Sequence, residues 1–197
     1  MKILALDLST ARGVLAWLDE NADFVREWPN DRKNSGPFFE NLDAAAKKFG
    51  APETIMVGLG PGSYAGTRIA ISAAMGLQLS SQARLIGLPS ICAMETNAND
   101  YCVIGDARRK SFFFARISAN ALTEGPLLFS EEELQKQIAA DDVPVFCSEP
   151  LAQFPVAIVA YPSARVLASL AREAHHSFSL PPLEPIYLRE PHITLPK

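Results

Sequence analysis

The first thirty residues set apolar runs against turn residues. Residues 3–8 read as a buried strand, 14–18 alternate like a second, and 24–28 look like a third. The links between them, Thr10-Ala11-Arg12-Gly13 and residues 19–23, are short enough for hairpins, so the three strands are expected to pair antiparallel. From Pro37 the period changes: Phe38, Leu42, Ala45 and Phe49 recur at helical spacing with charged residues mostly elsewhere, which predicts an amphipathic helix stopped by Gly50 and Pro52.

The next stretch has the order strand, glycine loop, helix. Residues 53–58 form a short β-branched run, Leu59-Gly60-Pro61-Gly62-Ser63-Tyr64-Ala65-Gly66-Thr67-Arg68 follows, and residues 69–83 carry no charge. Gly60, Gly62, Ser63, Gly66 and Arg68 mark the loop. Two readings stay open for it. Free N–H groups at a helix N-terminus attract anions, whereas glycine also serves wherever backbone must turn tightly or approach closely. The spacing is G-x-G-x-x-x-G without lysine, which matches neither the Walker loop nor the dinucleotide fingerprint.

A short strand at 84–87 and a helix over 89–97 complete the first set. Three antiparallel strands followed by helix–strand alternation predict a mixed sheet with helices on its faces, the layout of a ribonuclease H-like or actin-like half. After the polar turn at 97–100 the pattern restarts. Strands are expected at 101–105 and 112–117, then a helix to about residue 140 opened by the Ser130/Glu133 capping box. Strands at 143–147 and 156–160, a helix over 163–175 and a proline-rich, extended tail from 181 follow. The expected fold is α/β, two actin-like lobes, with domains over 1–98 and 99–197.

A formal charge of −4 argues against a chain that grips nucleic acid by itself. The only tight basic cluster, Arg108-Arg109-Lys110, reads as a solvated turn, and Phe112, Phe113 and Phe114 as a core strand. Cys92, Cys102 and Cys147 have no metal-ligand spacing and suggest reduced thiols. The start lacks a signal-peptide core, and residues 69–83 fall short of the roughly 20 apolar residues a membrane span needs. A soluble, cytoplasmic protein is expected. Adjacent His175 and His176 point about 100° apart on a helix, and His192 lies far along the chain, so no zinc pair is expected. A two-metal nuclease would need converging carboxylates that the first lobe does not offer beyond Asp7.

Four ordered segments carry a resemblance: residues 3–10, the loop at 60–68, Gly105-Asp106-Ala107-Arg108-Arg109-Lys110, and Pro185-Ile186-Tyr187-Leu188-Arg189. Together they resemble the bacterial TsaB-type, YeaZ-like family, once labelled glycoproteases, of the actin-like ATPase superfamily. The chain departs from that pattern at Ala65, where the family often has Thr, and at Asn34-Ser35-Gly36-Pro37, where it often has His-Ser.

The resemblance implies a non-catalytic subunit that serves the catalytic TsaD-type subunit in forming threonylcarbamoyladenosine on tRNA. The TsaD-type subunit and a small TsaE-type ATPase would be partners, with tRNA contacted indirectly. It also implies a cleft between lobes where Asp7, Ser9 and Thr10 face Asp106 and Arg108. ATP or ADP with magnesium would sit there in the assembled complex, and the alternative function is a nucleotide-binding phosphotransferase or ATPase using that cleft. Against this, Asp7 and Asp106 are also residues that end strands and satisfy turn amides. No catalytic residue is assigned. The central helix is apolar nearly all round, so Gly66, Ala70, Ala73 and Leu77, together with Phe38, Leu42, Ala45 and Phe49, are expected to form a patch that docks the TsaD-type subunit or pairs two copies. The other reading of the same stripes is the chain's own core.

Overall fold

In the computed structural model, which describes residues 1–30, 34–173 and 176–189, β1 (Ile3–Asp7) is buried along its whole length. Strands β2 (Arg12–Leu18) and β3 (Asp23–Pro29) fold back from it as antiparallel neighbours, with Ile3 opposite Leu18 and Leu18 opposite Asp23. Helix α1 (Gly36–Phe49) then crosses to β4 (Thr54–Gly58), and α2 (Tyr64–Ser81) crosses from β4 to β5 (Arg84–Leu88). Both of these strands are parallel to β1, giving the sheet order β3-β2-β1-β4-β5.

The second sheet repeats the plan. Antiparallel β6 (Asp100–Asp106), β7 (Phe112–Ser118) and β8 (Ala121–Phe129) lead through α3 (Glu131–Ala139) to the parallel strands β9 (Val145–Cys147) and β10 (Ile158–Val159). The order is β8-β7-β6-β9-β10, the same as in the first sheet. The expected α/β architecture of two mixed sheets flanked by helices is therefore what the chain adopts. The capping box forms as well: Ser130 Oγ accepts from Glu133 N, and the Glu133 carboxylate accepts from Ser130 N at 2.8 Å.

Strand alternation sends successive side chains to opposite faces. Leu4 and Leu6 enter a core beneath α1 and α2, while Ile3 and Ala5 enter a second core. That second core is shared: Val103, Phe113 and Ile117 of the other sheet belong to it, as do Leu167 and Ala168 of α4 (Ala164–Leu170). Although α4 follows the second sheet in sequence, it packs on β1, β2 and β4 of the first.

Two sequence expectations fail locally, and one strand is added to them. The helix expected over 89–97 is only a 3₁₀ turn, Ser90–Ala93, because the backbone beyond it bonds across the molecule: Glu95 N donates to Tyr161 O, and Ala93 O accepts from Ser163 N. Helix α4 stops at Leu170 and the chain turns, Glu173 N donating to Leu170 O. Strand β8 was not expected at all. Among the described residues no helix is long and apolar enough to cross a membrane.

Candidate functional site: an interlobe cleft and the outer face of helix α2

The glycine loop brings the start of α2 against the turn that follows β1. Ser63 N donates to Ser9 O at 2.6 Å, and Ser63 Oγ caps the helix by accepting from Gly66 N. A Cβ on Gly62 would lie 2.0 Å from Ser9 O, and one on Gly66 would lie 2.1 Å from Leu8 O. Backbone touches backbone there, so only glycine fits. Ser90 holds the other side of the loop, its Oγ accepting from Gly60 N at 2.8 Å while its own N–H donates to Gly60 O at 2.7 Å. Arg68 stands outside, its guanidinium over the Tyr64 ring at 4.8 Å and bonded to the Tyr64 hydroxyl.

Beside the loop lies a cleft of about 550 Å³, walled by Ser9, Thr10 and Gly62 to Ala65 on the first lobe and by Asp106, Ala107, Arg108 and Phe113 on the second. The structure thus brings together four of the five residues expected there. Asp7 is the exception. It is 1 % exposed and does not line the cleft; its Oδ1 accepts from Ser9 N at 2.7 Å, and its Oδ2 has no hydrogen-bond partner. A Cβ on Gly58 would lie 1.8 Å from that Oδ2, so the carboxyl fills the space the glycine leaves behind the loop. Burial pushes its pKa up, and the Ser9 amide together with the nearby Ser9 and Ser90 hydroxyl dipoles opposes that rise.

Asp106 occupies the matching place at the end of β6 in a different environment. One oxygen accepts from Arg108 N at 2.6 Å and the other pairs with the Arg108 guanidinium at 2.9 Å. A magnesium ion shared by these lobes would need charged carboxylate oxygens open to it. Asp7 is sealed and driven toward its neutral form, and Asp106 is neutralised by its own turn, so this pair does not fit the ion. Among the described residues no group of three His, Cys, Asp or Glu is placed to hold a metal; His175 and His192 lie outside the described residues, and His176 stands 3.1 Å from Glu173.

The expected interface stripes need a correction. Phe38, Leu42 and Ala45 of α1 and Gly66 and Ala70 of α2 are buried in the chain's own core, where Phe49 stacks on Trp17 at 5.1 Å and Phe38 lies 6.3 Å from Trp28. Ala73 and Leu77 sit half-buried at its margin. The sheet claims the most apolar face of each helix first, because that burial is what holds the helix in place.

What α2 leaves to solvent is its other face. Tyr64, Arg68, Ser72, Met75, Gly76 and Leu79 are exposed at successive helical turns, Leu79 at 85 %. A Cβ on Gly76 would meet nothing, and Phe39 of α1 is exposed as well. Between the C-terminal ends of α1 and α2 lies a groove of about 350 Å³, bounded by Leu42, Ala46, Leu77 and Ser81 with Leu4 and Trp17 among its lining. The tail, expected to be extended, adds residues 185–189 to the lining of the cleft.

Residues 37–125, from α1 into β8, match the family model described as TsaD: tRNA N6-adenosine threonylcarbamoyltransferase. No curated protein matches the chain. A Pseudomonas aeruginosa protein described as similar to peptidase YEAZ superposes with a TM-score of 0.76 at 23 % identity, covering 95 % of this chain and 99 % of that one. YeaZ from Pseudomonas aeruginosa does so with a TM-score of 0.75, with the same identity and coverage. Over nearly its whole length, then, the chain follows the two-lobed α/β path of these YeaZ structures.

Proposed function

We propose that this chain is a cytoplasmic, non-catalytic scaffold that binds and activates a TsaD-type catalytic subunit in forming threonylcarbamoyladenosine on tRNA, working with a small TsaE-type ATPase and touching tRNA indirectly. The observation that carries the reading is the outer face of α2. It is an exposed helical stripe with small residues, Ser72 and Gly76, that let a second helix approach, and large apolar ones, Met75 and Leu79, that gain from being covered. Likeness to the TsaD family model and to the YeaZ fold supports the choice of partner. The self-contained Asp106–Arg108 turn and the sealed Asp7 support a chain that does no chemistry in its cleft. With the partner absent, the same face pairs two copies.

The test is co-purification and threonylcarbamoyl transfer with the TsaD-type and TsaE-type proteins, comparing the native chain with Leu79→Arg. The variant is expected to keep its melting temperature and to bind the TsaD-type subunit about thirtyfold or more weaker, since a central apolar anchor is replaced by a charge. Unchanged affinity would overturn the placement of the interface. Robust transfer by this chain alone would overturn the scaffold reading.

A further inference from the structure

We infer that residues 183–189 form a strap that sets the width of the cleft, anchored firmly to the first lobe and latched lightly to the second. The segment arrives from Ser179, which exchanges two hydrogen bonds of 2.9 Å with Gly87 of β5. Leu183 and Ile186 then pack into the core beneath α1 and α2, and Ile186 N donates to Leu59 O at 2.8 Å, immediately before the glycine loop. The Tyr187 ring lies 5.3 Å from that of Tyr64, the first residue of α2. Leu188 packs on the core the two sheets share. Finally the Arg189 guanidinium donates to Ser111 Oγ at 2.8 Å, on the turn between β6 and β7.

The two ends differ in kind. On the first lobe the strap is held by buried Leu183, half-buried Ile186 and a backbone bond; on the second, beyond Leu188 at the margin of the shared core, by an exposed side-chain hydrogen bond that water competes for. The Arg189–Ser111 contact is therefore the release point. The turn it grips is ordered by Ala107 N to Ser111 O at 2.9 Å, Ser111 N to Arg108 O at 3.1 Å and the Asp106 carboxylate that accepts from Arg108, none of which reaches the first lobe, and Arg108, Arg109 and Lys110 all hold positive φ. Release frees this turn to move away from the glycine loop, while the shared core keeps the lobes attached. The cleft widens and the chain stays folded.

Amide hydrogen exchange on the isolated full chain tests this without reference to any partner. In Arg189→Ala the amides of 107–112 are expected to exchange about fivefold faster, with β1 and β4 unchanged. Ser111→Ala should give the same increase, and the double variant no more than either alone, because both remove one contact. Tyr187→Ala should loosen 59–65 instead. Native rates at 107–112 in Arg189→Ala, additive effects in the double variant, or protection lost evenly through both sheets would each overturn the strap.

Discussion

The two sheets share one strand order and are finished in different ways. In the first, β1 and β4 are buried at every position, with α1 and α2 over one face and α4 against the other. In the second, α3 contributes Leu134 as its buried residue, β8 is half-exposed, and β10 is a two-residue edge with Val156 at 65 % exposure beside it. The ends of β1 and β6 differ in the same sense. Asp7 is entombed behind the glycine loop, whereas Asp106 faces the cleft and pairs with Arg108. One topology thus serves two tasks: the sheet with helices over both faces of its centre presents a long helix to the outside, and the more lightly covered one supplies a cleft wall.

The largest effect expected from that contrast lies in the first lobe. Phe38→Ala removes a fully buried ring and should lower unfolding free energy by about 3–5 kcal/mol in denaturant titrations; a loss below about 1 kcal/mol would mean that α1 is no better packed than α3.

Asp7 offers a test of direction. Its folded-state pKa is raised above the ordinary value of 3.8, so the folded chain binds the proton more tightly than the unfolded one. Stability from this group is fully present below 3.8 and is lost as pH rises through the folded value. Asp7→Asn should therefore gain stability relative to the native chain between acid and neutral pH, read from denaturation midpoints. A constant difference across that range would show that burial does not govern this carboxyl. Asp106→Asn, which removes only a partly exposed ion pair, should change stability by about 0–1 kcal/mol.

A further small effect belongs to the second lobe. Ser130→Ala removes the capping box of α3 and should lower stability by about 1 kcal/mol, with thermal melting as the measure. A loss as large as that from Phe38→Ala would erase the contrast between the lobes.

Much of this could be read from residue order. The hairpins at the start, the helix–strand alternation, the Ser130 cap and the restart near residue 100 all follow from local patterns that the tertiary structure leaves in place. What escaped reading was settled by distant partners. The run at 89–97 is apolar enough for a helix, yet its backbone bonds go to 161–163. Strand β8 carries Gly125 and Pro126 and alternates weakly, because one of its edges faces solvent and little of it is buried. In the site, Ser9, Thr10, Asp106 and Arg108 meet across the cleft as their turns predict, but whether Asp7 opens into it depends on Gly58 and Ser90, many residues away. The α1 and α2 stripes were visible as apolar surface. Composition alone does not tell a core stripe from an exposed one, since both draw on the same side chains.

The return of α4 to the first sheet has a consequence for how the protein is made. Ile3, Ala5, Val14, Ala16 and Met56 are complete early in synthesis, but Leu167 and Ala168, which share their core, emerge only after the whole second sheet. At ordinary ribosomal speed the interval is on the order of seconds. Throughout it the nascent first lobe presents an apolar sheet face without the helix that covers it, a surface of the kind that holdase chaperones bind and that drives aggregation. A chain cut after residue 98 would keep that face for good.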